Sequence, residues 1–162
     1  MPEPWSITTE PDGNLWFTES EADAIGRFKP RTQTFLASLP VPTAAGTPRG
    51  ILFAPDKHIW FTERTGDKLA EVVNPNTIRE FGIAQSASYP EALTSGPGGK
   101  LWFTESQAQV VGSIDPRTGK CEQSITLPSG DIPNGIAIDA HKNVLFTIDD
   151  YSGRSQIGEV LR

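Results

Sequence analysis

The chain has 162 residues, a formal net charge of −6 and an isoelectric point near 4.9. No basic stripe is available to meet phosphates, which excludes nucleic acid and anionic membrane surfaces as partners. No apolar run approaches the length of a membrane span. The start, Met1-Pro2-Glu3-Pro4, lacks the basic and apolar regions of a secretory leader. With a lone Cys121 besides, a cytoplasmic location is expected.

In chain order, the first segment is Pro4-Trp5-Ser6-Ile7, and a short strand runs from Ile7 to a turn at Pro11-Asp12-Gly13-Asn14. Asp-Gly between apolar segments is a strong hairpin signal because it accepts positive φ. A second strand follows at Leu15-Trp16-Phe17-Thr18-Glu19. Its side chains alternate between faces, so Trp16 points one way and Leu15 and Phe17 the other; a strand apolar on both faces must be covered on both. A polar loop then leads to a third strand, Ile25-Gly26-Arg27-Phe28. After a turn at Pro30-Arg31-Thr32 a more polar fourth strand spans roughly 34–41.

This unit returns three times. The strand Leu15 to Glu19 recurs as Ile59-Trp60-Phe61-Thr62-Glu63, as Leu101-Trp102-Phe103-Thr104-Glu105 and, decayed, as Val144-Leu145-Phe146-Thr147-Ile148, at offsets of 44, 42 and 43 residues. The opening segment recurs as Pro48-Arg49-Gly50-Ile51, Pro90-Glu91-Ala92-Leu93 and Pro133-Asn134-Gly135-Ile136. Self-similarity at this period marks a repeat architecture. Stacked four-stranded antiparallel sheets satisfy the two-faced strands, as in the blades of a β-propeller. The expected fold is therefore all-β, one propeller-like domain over 1–162, with repeats of about 4–47, 48–89, 90–132 and 133–162. The fourth blade is expected to lack its outer strand, and Leu145 to take the buried place of the tryptophans.

The run Pro11 to Glu19 together with Ile25-Gly26-Arg27 resembles the repeat of the virginiamycin B lyase (streptogramin lyase) family of β-propellers. The resemblance covers the whole chain. It implies a seven-bladed ring in full members, of which this chain holds a little more than half. It also implies a carbon–oxygen lyase that opens streptogramin B depsipeptides by elimination, with Mg2+ as cofactor.

In an antiparallel hairpin the residue after each opening proline and the glutamate ending the second strand share one end. Trp5, Arg49, Glu91 and Asn134 are therefore expected to ring one mouth of the channel, beside Glu19, Glu63 and Glu105. These four variable positions form the candidate ligand site, for a small molecule or a protein partner. In the family this slot resembles the place where a histidine supplies the base; here no slot holds one. Glu91 and Glu105 are the remaining candidates for a base, Glu91 raised by Glu105. Glu63 and Glu105 are the candidate metal ligands, against the alternative that these recurring acids merely cap strands and bond the next blade's backbone. His58 and His141 fall in turns at the far end of the hairpins, roughly 17 Å away for a five-residue strand, and read as surface residues. Cys121, on an outer strand with no histidine beside it, is not expected to be a nucleophile. Finally, open blade flanks are expected to recruit partners, and the isolated chain either to pair flank to flank as a homodimer or to be poorly soluble.

Overall fold

A computed structural model describes residues 3–150, 152 and 154–160, without the side chains of residues 123 and 124. It contains four antiparallel sheets stacked in chain order. The first holds β1 (Pro4–Thr9), β2 (Leu15–Glu19), β3 (Ala24–Lys29) and β4 (Thr34–Pro40). The second holds β5 (Pro48–Phe53), β6 (Ile59–Glu63), β7 (Lys68–Asn74) and β8 (Thr77–Gly82). The third holds β9 (Pro90–Ser95), β10 (Leu101–Glu105), β11 (Val110–Asp115) and β12 (Lys120–Thr126). The fourth holds β13 (Ile132–Ile138), β14 (Val144–Asp149) and β15 (Ser155–Val160), three strands among the described residues. The sequence repeat places this third strand at Gln156 to Leu161, and Leu161 lies outside the described residues. No helix of the described residues is long and apolar enough to cross a membrane.

The first strands of successive blades are neighbours, β1 with β5, β5 with β9 and β9 with β13. They therefore form the inner edge of the array, and each sheet runs outward from it in sequence order. The first strands of three blades begin at their proline and that of the fourth at Ile132, one residue before it, earlier than the sequence pattern implied. The reason is a bulge: Pro48 pairs Glu63 and Ile51 pairs Phe61, so three steps on one strand match two on the other. The same irregularity occurs at Pro4/Ile7, at Phe103/Glu105 and at Pro133/Ile136.

Three apolar layers hold the blades together. Trp16 of the first blade packs with Ile51, Ile59 and Phe61 of the second. Trp60 meets Leu93, Leu101 and Phe103 of the third, and Trp102 meets Val144, Phe146 and Ile148 of the fourth. The tryptophan face of one blade thus always receives the phenylalanine face of the next. The glycine of Ile-Gly-Arg makes room for that phenylalanine: a Cβ on Gly26 would lie 2.3 Å from the Phe17 ring. Leu145 departs from expectation. It is only half-buried and lines an open apolar hollow with Ala137 and Ile157, because no blade among the described residues covers its face. At the opposite flank Ile7 and Phe35 are exposed.

Between blades the chain turns through left-handed positions at Ala45, Thr47, Ala87 and Tyr89. Such positions cost roughly 1–2 kcal/mol each outside glycine. Aspartates offset this cost. Asp23 accepts the N–H groups of Ala45 and Thr47, each at 2.8 Å, and Asp67 accepts those of Ala87 at 2.5 Å and Ser88 at 2.8 Å.

Candidate site at the inner end of the blades

Threonine, rather than glutamate, ties each second strand to the next blade. Thr62 Oγ1 accepts the Gly50 N–H at 2.9 Å, which the bulge leaves free, and donates to the Glu91 carbonyl at 2.9 Å. Thr18 bonds Ser6 N–H at 3.0 Å and the Arg49 carbonyl at 2.8 Å. Thr104 bonds Ala92 N–H at 3.2 Å and the Asn134 carbonyl at 2.6 Å. Thr147 accepts Gly135 N–H at 2.9 Å, with no next-blade carbonyl among the described residues. Arg49, Glu91 and Asn134 are thus held through their own carbonyls, and their side chains are free to vary. This explains the small residue after each slot: a Cβ on Gly50 would lie 2.6 Å from the Glu91 carbonyl oxygen.

The four slot residues sit at matching positions of adjacent inner strands, and their side chains pair locally. The Arg49 guanidinium stacks on the exposed Trp5 ring, 3.6 Å from its centroid. Glu91 accepts a hydrogen bond from Arg64 Nε at 2.5 Å and from Ser106 Oγ at 3.3 Å. Arg64 in turn lies over the Tyr89 ring at 4.3 Å. Asn134 Nδ2 donates to Asp149 Oδ2 at 3.0 Å. Arg64, Tyr89 and Ser106 escaped the sequence reading. The available signal was that they flank the slot and the strand-end glutamates and vary between repeats. The residue that meets Glu91 is Arg64 and not Glu105, so the expected pairing of two carboxylates is absent.

The strand-end glutamates do not share an opening. Glu63 is fully buried beneath the link between the first two blades, against Gly46 and Gly66. Neither of its oxygens has a well-formed hydrogen bond, so it does not cap the strand by bonding a neighbour's backbone. Burial first, and the nearby Glu80 second, push its carboxyl up to about 7, against Thr43 and Lys68. Glu105 occupies the next joint. It lines a crevice of about 180 Å³ with Phe103, Gly112 and Cys121. Burial raises its carboxyl above the ordinary range, with Ser88 opposing and Asp67 adding. Cys121 is half-buried; burial and then Glu105 push its thiol up, which favours the unreactive protonated form.

The family model for the virginiamycin B lyase family matches residues 2–161. The chain belongs to that family. Among solved structures, virginiamycin B lyase from Staphylococcus aureus is 27% identical with a TM-score of 0.84, over 99% of this chain and 57% of that one. A catalytically inactive form of the same enzyme with quinupristin matches equally, at 27% identity and a TM-score of 0.84, over 100% of this chain and 57% of that one. The WD40 β-propeller domain of Doa1 shares the fold at 12% identity and a TM-score of 0.76, over 99% of this chain and 51% of that one. No curated protein sequence matches. This member of the family therefore spans a little over half the length of the lyases it resembles, and its blades are propeller blades.

The Mg2+ implied by the family finds no fitting cradle at Glu63 or Glu105. Mg2+ asks for octahedral oxygen ligands with room for several waters. Glu63 is sealed by backbone, and the ammonium of Lys68 already sits 2.6 Å from Glu80 beside it. Glu105 shares its crevice with Cys121 and Glu122, and the Glu122 carboxylate is already taken by the Lys100 ammonium at 2.5 Å.

Proposed function

We propose that this chain forms a ligand-holding wall of a lyase-type propeller and does not by itself open a streptogramin ring. The observation that carries this reading is the Arg49–Trp5 stack at 3.6 Å, in a row of slots that holds no histidine. A flat, exposed indole backed by a guanidinium suits a ligand that is part aromatic and part carbonyl, such as a cyclic depsipeptide. Arg64 and Tyr89, beside Glu91, extend the same polar and aromatic character to the next blade. Elimination needs a base within hydrogen-bond reach of the proton it removes. The one slot carboxylate, Glu91, is engaged by Arg64 and Ser106.

The alternative is a non-catalytic propeller that takes another small ligand or a protein partner at the same slots. Both readings are tested by incubating the protein with quinupristin and Mg2+. Linear product is followed by mass spectrometry and binding by calorimetry. The expected result is saturable binding that weakens at least tenfold in Arg49→Ala, with no linear product. Product at an enzymatic rate, lost in Glu91→Gln, overturns the non-catalytic part. No binding of quinupristin favours the alternative ligand.

A further inference from the structure

At the end of the second blade away from the slots, the turn between β5 and β6 meets β7. Asp56, His58 and Glu71 converge there, and one ligand-type atom from each lies within 4.8 Å of the others. His58 Nδ1 is 3.9 Å from Asp56 Oδ2 and in close contact with Glu71 Oε1. The Nδ1 atom is enclosed and makes no well-directed hydrogen bond. A bare nitrogen lone pair facing carboxylate oxygens is repulsive, so this geometry needs either a proton on Nδ1, which a neutral imidazole can supply, or a metal ion that His58 and Glu71 move apart to ligate.

Three features favour the metal ion. First, the carboxylates are already oriented. Arg79 places both Nε, at 3.0 Å, and its terminal nitrogen, at 2.5 Å, on Glu71 Oε2, which leaves Oε1 for the shared centre. The Trp60 indole N–H holds Asp56 Oδ2 at 2.9 Å, and the His58 N–H holds Oδ1 at 3.1 Å. Such outer hydrogen bonds fix ligand orientation in metal sites. Second, Glu71 is almost wholly buried, and a buried carboxylate needs compensation, which Arg79 supplies on Oε2 while Oε1 faces His58, a weaker partner than a metal ion when its imidazole is neutral. Third, the fold does not require this set. In the first blade Asp12, Asn14 and Arg27 hold the corresponding positions, and in the third Gly98, Lys100 and Ser113.

We propose that Asp56, His58 and Glu71 bind a divalent first-row transition ion of the Zn2+ class, on the face opposite the slots. One imidazole nitrogen with two carboxylate oxygens suits Zn2+ or Mn2+ over Mg2+, which avoids nitrogen ligands. Water fills the remaining positions. The proposal is independent of the ligand role of the slots.

The test is equilibrium dialysis of metal-stripped protein against Zn2+ and Mn2+, with metal counted per chain. One Zn2+ per chain is expected in the wild type, unaffected by excess Mg2+. Affinity should fall at least tenfold in His58→Ala and in Asp56→Asn, and stay unchanged in His141→Ala. His141 is the control because it sits on an equivalent turn with Asp139 as its one ion-pair partner among the described residues. Glu71→Gln is avoided because it also strips Arg79 of its partner. Thermal melts of the metal-free variants check that each is folded. No bound metal in the wild type shows that a proton fills the site and overturns the proposal. So does Zn2+ binding that survives His58→Ala or is lost in His141→Ala.

Discussion

Thr62→Val removes a hydroxyl and adds a methyl of the same shape, so it tests the threonine tie with little change in packing. Thr62 is fully buried, and its hydroxyl serves two backbone groups, the N–H of Gly50 and the carbonyl of Glu91. Valine leaves both without a partner. A buried polar group left unsatisfied costs roughly 1–3 kcal/mol; two would cost about 2–6 kcal/mol, and because the Glu91 carbonyl is only partly buried the lower part of that range, about 2–4 kcal/mol, is expected. For a domain of this size each kcal/mol moves Tm by about 2–4 °C, giving a fall on the order of 5–15 °C. Thr147→Val is the matched control. Its hydroxyl serves Gly135 alone, at an exposed position that water can reach, so its cost should stay near or below about 1 kcal/mol. Thermal and urea melts of both variants measure the difference. Equal losses in the two would refute the claim that this hydroxyl joins blade to blade.

Trp60→Ala should cost about 3–5 kcal/mol by emptying a fully buried site, whereas Leu145→Ala on the open flank should cost about 1 kcal/mol or less; urea midpoints compare them. Glu63 has its carboxyl raised from 4.5 to about 7, so the folded state holds the proton more tightly than the unfolded chain. Its contribution is fully present below about pH 4.5 and is lost as pH rises through about 7, on the order of 3 kcal/mol in all. Glu63→Gln, which mimics the neutral form, should flatten the fall in Tm between pH 5 and 8; an unchanged slope refutes the assignment. Ile7 and Phe35 on one flank, and Leu145 and Ile157 on the other, leave apolar faces like those joined inside the stack. Flank-to-flank pairing of two copies is therefore expected, and light scattering reads it: a stable monomer of 17.6 kDa at high concentration would refute it.

Much of the fold is legible in the sequence. The offsets of 44, 42 and 43 residues, the Asp-Gly and Pro-Gly-Gly turns and the two-faced strands define four sheets and bury Trp16, Trp60 and Trp102. These features are local in origin: side-chain alternation and turn chemistry act within a few residues, and the period then copies them. Slot positions were legible for the same reason, since they stand at a fixed place in each repeat. What tertiary structure decided are the contacts between strands and between blades. Glu63 and Glu105 look alike in sequence, yet Glu63 is sealed under the link between its blades while Glu105 lines a crevice at the next joint. Glu91 meets Arg64, 27 residues away, because two blades abut there. His58 looks like a lone turn residue until cross-strand register sets Trp60 opposite Glu71 and Glu71 opposite Arg79. Leu145 holds the tryptophan position but stays half-buried, since burial belongs to the neighbour that covers a face and not to the residue that presents it.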